Sequence, residues 1–106
     1  MENMKISEHD IQRQIIDYLR LKGHWFWRNN TMGRLDKTGK HWIPTYKENI
    51  GSPDIFVIYK NDCYGIEVKS STGKQSPEQK QWEEGFTDNG GIYLLVRDIK
   101  DLQDYL

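Results

Sequence analysis

Apolar positions along this chain switch between a helical and a strand period, and the switches mark its elements. Ile11, Ile15, Tyr18 and Leu19 recur at the spacing of one helix face. Lys22 is the next position on that face and can cover it only with its aliphatic stem. Ser7 followed by Asp10 resembles a capping box with Asp in place of Glu or Gln. Gly23 is a stop signal. The pattern predicts a helix over about 8 to 22. Glu8 lies one turn before Ile11 on the same face, so the apolar stripe ends in a carboxylate aimed at whatever the helix packs on.

His24 to Asn29 (HWFWRN) reads as a strand. Residues 30–50 hold two Gly, one Pro and most of a basic cluster. That is long for a connection, and long connections are usually functional or disordered; a strand around His41 to Ile43 fits within it. Asp54 to Lys60 and Cys63 to Lys69 form a hairpin turned at Asn61-Asp62. Ser76-Pro77-Glu78-Gln79 starts a helix, with Ser at the cap, Pro at the first position and Gln at the third. It runs to about Thr87, before Gly90-Gly91. Ile92 to Val96 is an apolar strand, and Asp98 can cap a last helix ending near Leu106. The order αβββαβα predicts one α/β domain over 1–106, a sandwich of helices around a small mixed sheet.

Composition narrows the class. Apolar residues make up 36% and charged ones 29%, which fits a globular chain better than a disordered one. No apolar run approaches 18 residues and MENMKISEHD lacks a signal-peptide layout, so no membrane association is expected. Cys63 is the sole cysteine, which points to a reducing cytoplasm. Cys63 with His9, His24 and His41 lacks any standard zinc-ligand spacing. Net charge is −1, but of fifteen basic and sixteen acidic residues, seven basic and one acid lie between Arg20 and Lys47. The rest of the chain keeps eight basic and fifteen acidic residues. That segment is either a solvated loop or a phosphate-contacting arm.

Three charges at one end of the hairpin raise the chemical question. With Lys60 opposite Cys63, Asp54 faces Lys69 and Phe56 faces Glu67, so Asp54, Glu67 and Lys69 share a sheet face. Two converging carboxylates repel unless a cation lies between them, and Mg²⁺ accepts such ligands together with water and phosphate. A nearby lysine can then orient water or stabilise charge at phosphorus. The plainer reading is an Asp–Lys cross-strand pair with Glu67 in solvent, contributing about 0.2–1 kcal/mol.

Pro53-Asp54 followed by Glu67-Val68-Lys69 resembles the PD-(D/E)xK nuclease superfamily. Gly51-Ser52-Pro53-Asp54, Ile66 to Lys69, and Ser76-Pro77-Glu78-Gln79 followed by Trp82 are similar to the VRR-NUC family, with Glu8, Gly90-Gly91 and Ile92 to Val96 in the family's order. The resemblance implies a restriction endonuclease-like core and metal-dependent phosphodiester hydrolysis, with Mg²⁺ or Mn²⁺ as cofactor. Carried over by position, Asp54, Glu67 and the Val68 main-chain carbonyl would bind the metal. Lys69 would act on the nucleophilic water, Glu8 would reach the metal directly or through water, and Gln79 would sit near the centre. Gln79 can also be read as the capping partner of Ser76, and Glu8 as a first-turn acid favoured by the helix dipole.

Small stand-alone relatives of this kind resemble junction-resolving enzymes, which implies branched DNA as substrate and, for symmetric cleavage, a homodimer. No small-molecule cofactor is expected. Arg28, Arg34, Lys37, Lys40 and Lys47 are the candidate phosphate contacts. Trp42 is the best base-stacking candidate; Trp25, Trp27 and Trp82 read more readily as core or interface. Other readings are a non-catalytic DNA-binding or assembly module, a nuclease acting on linear duplex, and an RNA substrate.

Overall fold

The computed structural model describes residues 5–29 and 33–106. The first four residues and positions 30–32 of the basic connection lie outside the described residues. The first helix, α1 (Glu8–Lys22), has the predicted bounds. Ser7 Oγ accepts from the Asp10 N–H at 3.1 Å, and Gly23 closes the helix at φ 76°, a left-handed conformation that costs glycine little. Strand β1 (Trp25–Arg28) follows directly.

The long connection is not structureless. It contains two short strands, β2 (Arg34–Leu35) and β3 (Trp42–Ile43), paired antiparallel. The second matches the expected strand near His41 to Ile43, and β2 is additional. Asp36 closes the turn between them: its Oδ1 accepts from the Thr38 N–H at 3.0 Å and the Thr38 hydroxyl at 2.7 Å. The Thr38 hydroxyl bond is the main cause holding the Asp36 carboxyl below its ordinary range. Asp36, the single acid between Arg20 and Lys47, therefore shapes the turn. Among the described residues, β2 and β3 pack extensively only on each other. The radius of gyration, 15.2 Å against about 13 Å for a compact chain of this length, fits an arm that projects from the body.

The body is a mixed four-stranded sheet in the order β1-β4-β5-β6, with β4 (Ile55–Tyr59), β5 (Asp62–Val68) and β6 (Ile92–Val96). β1, β4 and β5 are antiparallel; β6 joins β5 in parallel after a crossover through α2 (Pro77–Asp88). Alternation sends Ile55 and Val57 to one face and Phe56 to the other. The first face packs on Ile11, Ile15 and Leu19 of α1 together with Ile66, Val68 and Val96. On the opposite face Phe56 meets Trp82 and Phe86 of α2, and the Phe86 ring occupies the space where side chains on Gly65 and Gly91 would sit. The fold is thus mixed α/β, with one helix on each face. Among the described residues no helix is long and apolar enough to cross a membrane.

Two expectations need correction. The hairpin turns at Lys60-Asn61, not at Asn61-Asp62. Both residues have positive φ (50° and 69°), as a two-residue hairpin turn of the primed type requires. Tyr59 therefore pairs with Asp62 and Ile55 with Ile66, so Asp54 does not face Lys69. The slip is two residues, an even number, so every side chain keeps its predicted face. The last helix is only a 3-10 turn, Ile99–Asp101, followed by further turns. Asp98 caps it as expected, and Leu102 and Leu106 fold back into the core.

Candidate active site

Asp54 stands just outside β4, where the regular ladder breaks. Its N–H donates to the Ile66 carbonyl at 3.0 Å, although Ile66 is already the register partner of Ile55. Asp54 Oδ2 then accepts from the Val68 N–H at 2.8 Å. The carboxylate thereby occupies the place of the next ladder bond. A strand residue's N–H and C=O point to the same side, so the Val68 carbonyl also faces the Asp54 side.

The turn before Asp54 is held at three points. Asn29 Nδ2 donates to Ser52 Oγ at 2.7 Å and to the Pro53 carbonyl at 3.0 Å, and the Asn29 N–H donates to the Asp54 carbonyl at 2.7 Å. Ser52 Oγ donates to the Asn49 carbonyl at 2.7 Å. Gly51 has φ 86°, and a Cβ there would lie 2.4 Å from the Glu78 carbonyl oxygen. Only glycine lets this turn lie against the start of α2.

Glu67 is the centre of the cluster. It is 1% exposed, and its Oε1 has no hydrogen-bond partner. Its Oε2 accepts from Gln79 Nε2 at 3.1 Å and lies 3.8 Å from Lys69 Nζ. Burial, and then the charge of the neighbouring Asp54 carboxylate, push Glu67 from an ordinary 4.5 up to about 8. Lys69 opposes that shift, and Glu8 adds a smaller push upward. Gln79 serves two roles: its Oε1 accepts from the Ser76 N–H at 2.9 Å, completing the capping box, while its Nε2 holds Glu67.

The structure therefore brings together Asp54, Glu67, Lys69 and Gln79. Glu8, at the first position of α1, acts on Glu67 through its charge but does not close into a ligand cluster. Among the described residues no group of three or more His, Cys, Asp and Glu could hold a metal ion. Two neighbouring carboxylates and a carbonyl on their side are a donor set for a hard cation that also keeps waters. The plainer reading, with Glu67 in solvent, does not hold, because Glu67 is buried.

Of the candidate DNA contacts, Arg34, Lys37, Lys40 and the aromatic Trp42 lie together on the arm, with Trp42 59% exposed. Lys47 starts a 3-10 turn beside α2 and lines a groove with Trp82. Arg28 pairs with Ile55, which places it on the sheet face opposite Glu67. The reading of Trp25 and Trp27 as core or interface leaves them 67% and 41% exposed.

Several supporting residues carried no sequence signal of their own. Asn29 and Ser52 brace the Asp54 turn, as above. Arg97 Nη1 donates to the carbonyls of Ser70 and Gly73, tying down the segment after Lys69. Tyr93 lies across from Gly65, accepts from Gln75 Nε2 at 3.1 Å, and has its phenol raised by burial and, less, by the charge of Glu67. These contacts join residues tens of positions apart, and only the fold reveals them. No family model, curated protein or solved structure matches the chain.

Proposed function

We propose that this chain is a divalent-metal-dependent endodeoxyribonuclease of the VRR-NUC type, with a restriction endonuclease-like core, acting on branched DNA as a homodimer. The observation that carries this reading is Glu67: a buried carboxylate, under the charge of a second carboxylate, with one oxygen left without a partner. A buried unpartnered carboxylate oxygen is costly, and a cation bound there would offset the cost.

Asp54, Glu67 and the Val68 carbonyl would hold Mg²⁺ or Mn²⁺, with Glu8 acting through water. When bound, such an ion neutralises phosphoryl charge and makes water a better nucleophile. Gln79 fixes Glu67 Oε2 and so leaves Oε1 available for the metal. Lys69 Nζ, close to Glu67, holds the attacking water and stabilises negative charge growing on the phosphoryl oxygens. The basic arm supplies phosphate contacts that carry no sequence preference.

The reading is tested by incubating a labelled immobile four-way junction and a matched linear duplex with Mg²⁺, Mn²⁺ or EDTA. Paired, metal-dependent nicks near the crossover are expected. Equal cleavage of both substrates keeps the nuclease and removes the junction preference. Binding without cleavage in any metal makes the chain a DNA-binding or assembly module.

A further inference from the structure

A groove of about 940 Å³ runs between α2 and the 3-10 turn at Lys47–Asn49, with Ile50, Trp82 and Phe86 as its apolar wall. Trp82 Nε1 donates to the Glu48 carbonyl at 3.3 Å, which ties the turn to the helix and leaves the groove preformed. Gly85 lies in the same wall, inside α2. Glycine weakens a helix interior relative to alanine. Of the nine glycines, Gly85 alone has neither a positive φ nor any atom within 4 Å of a Cβ built there. Nothing within the chain calls for it. A bare stretch of helix backbone facing an apolar groove lets a bulky group from outside approach closely.

Charge indicates the kind of occupant. Glu48 and Glu78 stand in the wall against Lys47, and α2 carries four acids and one base. Such a wall repels phosphate and favours a cationic partner with apolar side chains. The β2-β3 ribbon has that composition. It carries Arg34, Lys37 and Lys40 against Asp36. Leu35 and Trp42 pair directly across it, so they share one face, and both are more than half exposed. The Trp42 ring lies against Gly33, where a Cβ would come within 2.7 Å of it. A two-stranded ribbon alone is marginal in water, so one that presents an apolar pair to solvent gains by docking. Among the described residues, no ribbon residue lines the groove of its own chain.

We infer that the Leu35–Trp42 face of the ribbon docks reciprocally in the α2 groove of a second copy, with Gly85 making room for the Trp42 indole. The inference supplies the contact of the proposed homodimer and rests on that reading for the number of copies, not on the nuclease chemistry. Only Pro44, Thr45 and Tyr46 separate β3 from the groove wall at Lys47, at most ~14 Å of chain. A two-fold axis near these roots makes both contacts at once and closes the assembly at two. Lys37 and Lys40 lie in the turn beyond the apolar pair. Toward DNA the ribbon acts through charge at its tip, and toward the partner through apolar surface nearer its base.

The test is sedimentation equilibrium, in EDTA, of the unaltered chain, Trp42→Ala, Gly85→Arg and an equimolar mixture of the two variants. The unaltered chain is expected to dimerise, and each variant alone to dimerise at least roughly 30-fold more weakly. Mixing should recover part of the association, because the intact ribbon of the Gly85→Arg chain meets the intact groove of the Trp42→Ala chain. A Cβ at position 85 meets no atom of its own chain, so Gly85→Arg reports on docking even if Trp42→Ala loosens the ribbon. The inference is overturned by a monomeric unaltered chain, by normal dimerisation of either variant, or by a mixture no more associated than its components. Cleavage in Mg²⁺ is scored separately. A monomer that cleaves loses the homodimer and the ribbon contact but keeps the nuclease. A dimer indifferent to both variants loses only the ribbon contact, and one that depends on them but never cleaves loses only the nuclease.

Discussion

Gln79 donates to Glu67 at 3.1 Å while its other amide atom accepts from the Ser76 N–H at 2.9 Å, so one side chain both starts α2 and holds the buried carboxylate. The two roles separate by substitution. Gln79→Ala removes both, with an expected loss of about 1 kcal/mol in urea denaturation and a fall in cleavage rate. Gln79→Glu keeps an acceptor for Ser76 and should recover most of that stability. It also sets a third acid against Glu67, so its cleavage rate stays low. Recovery of both together would mean that Gln79 is only a cap.

Glu67 gives the metal-free protein a defined pH dependence. Its folded-state value near 8 exceeds the ordinary 4.5, so the folded protein holds a proton that the unfolded chain has released between those values. The protonated carboxyl's contribution is fully present below about 4.5 and is lost as pH rises through about 8, at up to about 1.4 kcal/mol per pH unit. Thermal melts in EDTA should show this decline, and Glu67→Gln should flatten it. Because a cation competes with that proton, Mg²⁺ should raise the melting midpoint more at pH 8.5 than at pH 6.

Gly51 couples the Asp54 turn to α2. Gly51→Ala forces a side chain into a backbone with φ 86° and against the Glu78 carbonyl. A loss of about 1–3 kcal/mol is expected, together with reduced cleavage, because the turn can no longer lie on the helix that carries Gln79. Denaturant titration and cleavage rate measured on one preparation check this.

The arm should act through charge alone. Replacing Lys37 and Lys40 by alanine should lower duplex affinity uniformly across sequences. If both lysines touch phosphates, the slope of log affinity against log salt should become shallower by up to about 1.8. An unchanged slope would remove the arm from the phosphate-binding surface.

Much of this architecture is legible in the sequence, for identifiable reasons. The bounds of α1 follow from Ser7, an apolar stripe and Gly23, all local signals. The start of α2 follows from Ser76-Pro77 and Gln79 in the same way. The site's shared face survived an incorrect turn, since the true register differs by two residues and strand faces repeat every two. The Lys60-Asn61 turn itself was hidden, because a lysine with positive φ is uncommon and carries no composition cue. The last helix reduced to a 3-10 turn because Leu102 and Leu106 are drawn into the core. The exposure of Trp25 and Trp27 depends on how far α2 reaches across the sheet, which no local pattern encodes.

The most direct test of the central claim is the Mg²⁺-dependent cleavage rate of Lys69→Ala relative to the unaltered chain, on a single branched DNA substrate. Lys69 is placed beside Glu67 but outside the set of atoms that would hold the ion. The variant should therefore still gain thermal stability from Mg²⁺ while cleaving at least ~100-fold more slowly. Cleavage at the normal rate by Lys69→Ala would contradict the account, because the hydrolysis would then not arise from the site built by Asp54, Glu67 and Lys69.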